Sequence, residues 1–292
     1  MDEEGGELNI SMVHLTKRLQ TIFNRAENEA RSAKSDVLMP SHMLLAFLQE
    51  KTGVFGEISL NSHIDVTLIR SENINLTENS EGKIKSPYFK IPITNEVVKI
   101  IEESISYMKR YNQIYLNEGH VLRALIDSDK VDEYLSNEQK NILLNLGTTA
   151  RDLIVNLDNY EFPEISSDRI RKVAQDDRHS LVEFVEKNFS TEWSHTIKGA
   201  FSQEQPSIFI ALSESEEIIG FAAYDVYKDK KGYFGPMGVS INKRASGIGY
   251  LLLHHCLAAM KETGYAYAIL GGAGPIEFYE KACQAVVIPL YY

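Results

Sequence analysis

The chain has 292 residues, 43% hydrophobic and 24% charged, which is an ordinary folded composition and too long for one core of usual size, so two domains are expected. Its net charge of −11 is shared by both halves, which excludes the basic footprint of a nucleic-acid-binding protein. The only cysteines, Cys256 and Cys283, exclude a disulfide framework, no apolar run has membrane-spanning length, and the acidic start MDEEGGELN is unlike a signal or transit peptide, so a cytoplasmic protein away from membranes is expected.

Taken in chain order, residues 16–48 lie over residues 94–126 without a gap, at an offset of 78. Thr16 meets Thr94, Leu38 meets Leu116, His42 meets His120, Leu44 meets Leu122 and Ala46 meets Ala124. Apolar positions coincide too: Leu19 with Val97, Ile22 with Ile100, Phe23 with Ile101. Each copy is one long helix, a short break and a second helix. The first helices run over about Leu15–Lys34 and Asn95–Tyr111, with apolar residues three and four apart. The second helices start near Ser41, a candidate N-cap, and near Gly119. Between the copies, Ser71–Pro92 is polar and proline-containing and is expected as a loop. Two such units pack into one pseudo-symmetric all-α domain, placed at residues 1–150.

The stretch FNRAENEARSAK…SHMLLAFL, followed by T…GHVLRAL, resembles the double-repeat N-terminal domain of Clp-type ATPases over about residues 10–146. The resemblance implies a domain that binds adaptors or protein substrates, so a protein partner is expected for residues 1–150. No motor follows, because the chain lacks a GxxxxGK[ST] phosphate loop. Ser41 and Gly119 directly precede His42 and His120, whereas the family's first repeat usually carries an acidic residue there. Both histidines are read as packed residues at helix starts, and no metal is expected.

Leu143–Asn159 reads as helical in part, and NYEFPEISSD, Asn159–Asp168, breaks that pattern, so a linker is expected at 151–166 and a second domain at 167–292. There the order of elements changes. Ile170–Ala174 is a short strand, Arg178–Asn188 a helix with Leu181, Phe184 and Val185 on one face, and Ser194–Phe201 a second helix. SIFIALSE, EIIGFAAYDVY and GYFGPMGVSI are three strands, with a turn at Lys228–Gly232. A helix from about Gly247 to Glu262 is stopped by Gly264. YAYAILGG is a strand, GPIEFYEKAC a helix opened by Pro275, and AVVIPLYY a last strand. This is an α/β or α+β layer fold around one sheet.

In NKRASGIGYLLLHH, Asn242–His255, an arginine and two glycines stand between a strand and an apolar helix. The first turn of a helix has N–H groups without intrahelical partners and the positive end of the dipole, a combination that binds phosphate. Gly247 and Gly249 let a phosphate approach the backbone, and Arg244 adds a cation. A dinucleotide fold is disfavoured by Leu252 in place of a third glycine, and a nucleotide loop by the missing lysine.

Gly-x-Gly alone is a weak signal. Arg-x-x-Gly-x-Gly after a strand, followed by another strand and FYEK, resembles the GCN5-related N-acetyltransferases, the GNAT family. VSINKRASGIGYLLL is similar to their pyrophosphate motif and PIEFYEKACQA to their later helix with its tyrosine, over about residues 167–292. The resemblance implies an α+β fold with a central, mostly antiparallel sheet, split between the strands at Tyr233–Ile241 and Tyr265–Gly271, and acetyl-CoA as co-substrate. It implies that backbone near Met237 and Val239 holds the thioester carbonyl and pantetheine arm. The amides of Ala245, Ser246, Gly247, Ile248, Gly249 and Tyr250, with Arg244, would hold the pyrophosphate, and Tyr279 would protonate the departing sulfur.

Ile241 departs from the family's usual proline and Cys283 from its usual glycine, and GYFGPMGVSI carries no carboxylate to act as base. The acceptor amine, with pKa about 10.4 if lysine-like, must lose a proton to react. Glu192, His195 or a water relay is open for that role, and Trp193 lines an acceptor pocket or packs as a surface aromatic. Tyr224, Tyr233 and Tyr267 are read as sheet-packing residues, and Cys256 as a core residue. The expected function is acetyl-CoA-dependent transfer to the amine of a small molecule or protein; the alternative is a CoA-binding adaptor without turnover.

Overall fold

The computed structural model describes residues 12–75, 83–165, 167–228, 230–244 and 246–290. Its described residues divide into two compact units: 12–149 with 289–290, and 150–288.

The first unit is helical. Strand β1 (His14–Leu15) leads into helix α1 (Lys17–Ser32), followed by α2 (Pro40–Gln49), α3 (Val54–Asn61) and α4 (Val66–Asn75). Helix α5 (Asn95–Arg110) begins the second copy, followed by strand β2 (Tyr115–Leu116), α6 (Glu118–Asp127) and α7 (Asn137–Gly147). Thr16 and Thr94 cap α1 and α5 in the same way, each side-chain oxygen accepting from the backbone N–H three residues on, at Leu19 and Val97. Both helices bury one stripe, Leu19, Ile22, Phe23, Ala26 and Ala30 in α1 and Val97, Ile100, Ile101, Ile105 and Met108 in α5. The repeat also appears in the backbone pairing. Leu15 pairs in parallel with Leu116, and Leu38 pairs in parallel with Ile93, so each copy's leading residue binds the other copy's connection.

The second helices start within a residue of expectation, but Ser41 lies inside the first of them and Met39 is its N-cap. Helix α2 begins at Pro40, before Ser41, and α6 at Glu118. Imidazole rings take the place of the third-position Glu or Gln of a capping box: His42 Nδ1 accepts from Met39 N–H at 3.1 Å, and His120 Nδ1 from Asn117 N–H at 3.3 Å. Both rings are buried, and burial lowers each pKa to about 4, so they are neutral capping groups. The expected loop at Ser71–Pro92 starts later than its polarity suggested, since α4 runs to Asn75; residues 76–82 lie outside the described residues.

The second unit, among its described residues, is a seven-stranded sheet with helices on both faces. Its strands are β3 (Arg151–Asn156), β4 (Ile170–Lys172), β5 (Ile208–Leu212), β6 (Ile218–Tyr224), β7 (Tyr233–Val239), β8 (Tyr267–Ala273) and β9 (Val286–Val287). Its helices are α8 (Arg178–Asn188), α9 (Thr191–Ala200), α10 (Ile248–Thr263) and α11 (Ile276–Cys283). The strand order is β4-β5-β6-β7-β8-β3-β9, and the pairing is antiparallel except between β7 and β8. Helices α8 and α9 pack Leu181, Val185 and Ile197 against Ile208, Ile210 and Phe221 on one face. Helices α10 and α11 pack Leu252, Leu253, Leu257 and Tyr279 against Phe234, Leu270 and Leu153 on the other.

Strand β3 corrects the expected linker. Arg151–Asn156 pairs with both β8 and β9, and Leu153, Val155 and Leu157 are fully or almost fully buried. An alternation of apolar residues so close to a helix is easily taken for its continuation; the partner that makes it a strand, Tyr267–Ala273, lies more than a hundred residues away. The last strand is shorter than expected, ending at Val287.

Candidate active site

The sheet splits where the sequence suggested. Parallel strands β7 and β8 pair only at Tyr233–Ile269 and Phe234–Leu270, although each has seven residues. Past Phe234 the partner edge of β7 is open. On the other side Ser240 N–H donates to Ile219 O of β6, so by strand alternation the backbone groups of Met237 and Val239 face the split. Gly238 faces the α8/α9 side, where a Cβ would fall 2.3 Å from the Phe189 ring. Glycine therefore lets Phe189 lie on the strand, with Trp193 stacked on it at 5.4 Å.

Helix α10 begins one residue later than expected, at Ile248, with Gly247 as N-cap in the left-handed region at φ 81°. No side chain caps this end, and a Cβ at Gly247 would meet nothing within 4 Å among the described residues, so the helix mouth is uncovered there. The first-turn amides of Ile248, Gly249 and Tyr250 open onto it. Gly249 is less constrained than its motif position implied, for a Cβ there would make ordinary 3.8 Å contacts with Phe278 and Val239. Ser246 is exposed and its hydroxyl donates to Lys243 O at 2.5 Å. Ala245 lies outside the described residues.

Arg244 does more than supply charge. Its Nε donates to Val239 O at 3.0 Å and so ties the end of β7 to the start of α10. Burial moves its pKa below the ordinary guanidinium value. The Tyr250 ring meets His254 edge-on at 4.3 Å.

Tyr279 sits on α11 with 8% exposure, its ring edge-on to Phe234, the last paired residue of β7, at 6.4 Å. Its hydroxyl makes no hydrogen bond among the described residues, and burial, followed by the nearby Cys283 side chain, raises its pKa. The phenol therefore stays protonated through neutral pH. His254 Nε2 lies 3.0 Å from Ala282 O, and Tyr160 O–H donates to the same carbonyl at 3.1 Å. These contacts bind α10 and the segment after β3 to the helix that carries Tyr279. His255 points elsewhere, stacking on Phe209, and Cys256 is a fully buried core residue.

Sequence reasoning missed a carboxylate on β3, across β8 from the split. The β3–β8 register shifts between Arg151–Ala273 and Leu153–Leu270, leaving Asp152 opposite both Gly271 and Gly272. Asp152 Oδ1 accepts from Gly272 N–H at 2.7 Å and from Tyr233 O–H at 3.4 Å. The Tyr233 ring lies flat across Gly271, whose absent Cβ would fall 1.7 Å from the phenol oxygen. Burial and the Asp152 charge push the Tyr233 phenol up to about 12. Tyr233 is thus more than a packing residue, while Tyr224 is buried in the core and Tyr267 is half exposed on β8. Glu192 and His195, the residues considered as bases, are both exposed on α9.

Comparison with known proteins agrees with this architecture. Residues 14–139 match the Clp repeat (R) N-terminal domain, and residues 173–284 match the Acetyltransferase (GNAT) family. The chain joins a Clp N-terminal repeat domain to a GNAT acetyltransferase domain. Among solved structures, it is similar to the Hsp104 N-terminal domain from Candida albicans, at 15% identity and TM-score 0.34, covering 46% of this chain and 93% of that one. It is similar to a GCN5-related N-acetyltransferase from Sphaerobacter thermophilus, at 21% identity and TM-score 0.39, covering 53% of this chain and 54% of that one. A third similarity is to a fungal multi-domain GH3 beta-N-acetylglucosaminidase with a GCN5-related glucosamine N-acetyltransferase region, at 16% identity and TM-score 0.41, covering 48% of this chain and only 20% of that one. No curated protein matches the chain. Among the described residues, no helix is long and apolar enough to cross a membrane.

Proposed function

We propose that the second unit is an acetyl-CoA-dependent N-acetyltransferase acting on an amine. The carrying observation is the conjunction of a split sheet, an uncapped helix mouth at its open end and a protonated phenol beside its apex. Acetyl-CoA supplies an acetyl group already activated as a thioester. The amides of Ser246, Gly247, Ile248, Gly249 and Tyr250 suit the CoA diphosphate, since they combine unpaired donors with the positive end of a 16-residue helix. Arg244, held between β7 and that helix, is placed to offset the diphosphate charge. The backbone groups of Met237 and the N–H of Val239, whose carbonyl is taken by Arg244, suit the pantetheine amides and the thioester carbonyl. Tyr279 holds the proton that a departing thiolate needs.

For the first unit we propose a protein-binding role, on the strength of the domain it contains. A second reading, a CoA binder without turnover, draws on the lack of any carboxylate along β7.

The test is thiol release from acetyl-CoA with lysine, spermidine, glucosamine and a lysine-containing peptide as acceptors. Turnover on at least one amine is expected, and Tyr279→Phe should lower kcat by about 100-fold while leaving acetyl-CoA affinity unchanged in calorimetry. Tight binding of acetyl-CoA with no turnover on any amine would favour the second reading.

A further inference from the structure

Resting on the acetyltransferase reading, we infer that Asp152 receives the acceptor: its carboxylate holds the incoming ammonium and takes the proton released as the new C–N bond forms. Three observations on the second unit carry this.

The first is level. Asp152 faces Gly271 and Gly272, the residues directly after the last β7–β8 pair, where the split begins to open. The second is side. Asp152 reaches the Tyr233 hydroxyl, and Tyr233 covers Gly271 on the face opposite the core that contains Phe234, Leu270 and Tyr279. The proton acceptor and the proton donor therefore lie on opposite faces of the sheet, Asp152 across β8 from the split, which suits attack from one side and departure of sulfur toward the other. The third is availability. Among the described residues only Oδ1 of Asp152 is hydrogen-bonded, and the side chain is exposed. The other carboxylates near this end of the sheet are committed. Asp225 accepts from Gly232 N–H and Tyr265 O–H, both at 2.7 Å, and Glu277 is paired with Lys281 on α11.

A β-bulge aims the group. The extra residue on β8 turns Gly272, at φ 58°, so that its N–H fixes Oδ1 and leaves Oδ2 without a hydrogen bond among the described residues. In the transfer, the bound ammonium first gives one proton through Asp152 to solvent, the neutral amine nitrogen then bonds the thioester carbonyl carbon, and the C–S bond breaks. One amine proton goes to Asp152, and the departing sulfur takes the proton of Tyr279. Asp152 then releases its proton to solvent and Tyr279 regains one, so amine and acetyl-CoA become amide and CoA thiol.

Asp152→Asn in the full chain is the test, because an asparagine oxygen still accepts from Gly272 and preserves the bulge. Expected is an unchanged calorimetric affinity for acetyl-CoA with a kcat/KM for the best amine of the same panel lowered at least about 100-fold. Asp152→Ser, whose hydroxyl also accepts from Gly272, is scored the same way should the asparagine variant unfold. A variant that keeps kcat/KM within about threefold of the wild type overturns the assignment and leaves the acetyltransferase reading intact. A wild type that binds acetyl-CoA and acetylates no amine overturns both.

Discussion

Gly247 is the residue at which the motif and the conformation coincide. Its φ of 81° belongs to the left-handed region, and the space where a Cβ would project is open among the described residues. Substitution therefore has two separable costs. Gly247→Ala should lose about 1–2 kcal/mol of stability from backbone strain, read as a drop in thermal midpoint, with a smaller loss of acetyl-CoA affinity than a bulkier side chain causes. Gly247→Val should add a side chain across the helix mouth and weaken acetyl-CoA at least about tenfold in calorimetry. Equal affinities in all three proteins would remove the diphosphate from this helix. The sequence nominates Tyr279 and Gly247 because each sits in a local pattern of types and spacings. It does not nominate Asp152, because what distinguishes that residue is a bulge formed with Gly271 and Gly272, far along the chain.

At the scale of elements, β3 has the largest consequence. It supplies hydrogen bonds to both β8 and β9 and buries Leu153, Val155 and Leu157 in the same core as Tyr279. Arg151, 2% exposed, donates through Nη2 to Ile288 O at 2.9 Å and fastens the strand beyond β9. A fragment starting at residue 167, where sequence reasoning began the second domain, lacks this strand and leaves two sheet edges unpaired. It is expected to aggregate or to lose cooperative unfolding in circular dichroism. A fragment of residues 150–288 is expected to fold and to bind acetyl-CoA as the full chain does. If the shorter fragment folds and binds equally well, β3 is dispensable and Asp152 loses its place. The long helices were legible to within a residue or two, since α1, α5 and α8 carry an apolar stripe within themselves and Gly264 marks the end of α10. Short α3 and α4, and the two-residue strands, carry too few residues to show a period.

At the scale of the molecule, the two units differ in how they were built, and the first carries a built-in acid sensitivity. His42 and His120 have folded-state pKa values of about 4, lowered chiefly by burial, against 6.5 when exposed. The unfolded chain therefore binds more protons between those values, so stability is complete above about pH 6.5 and falls as pH drops toward 4. The loss is at most roughly 3 kcal/mol for each ring. Urea titrations of the full chain at several pH values should show the midpoint of the first unit falling across this window. In His42→Gln, where the amide oxygen can still cap Met39 N–H, the fall should be shallower. A midpoint independent of pH from 7 to 4.5 would mean that the rings titrate normally.

The sequence alone determined what is local and repeated: the duplicated helical unit, the amphipathic faces, the glycine-marked helix start and the aromatic helix after it. Those features follow from residue type at fixed spacing, and backbone geometry converts spacing into faces and termini without reference to distant residues. Only the tertiary structure decided that residues 151–156 are a strand between β8 and β9, that β7 and β8 part after two pairs, and that Asp152 stands across β8 from the opening. Each of these depends on which strand pairs with which, and a strand, unlike a helix, has its hydrogen-bond partners elsewhere in the chain.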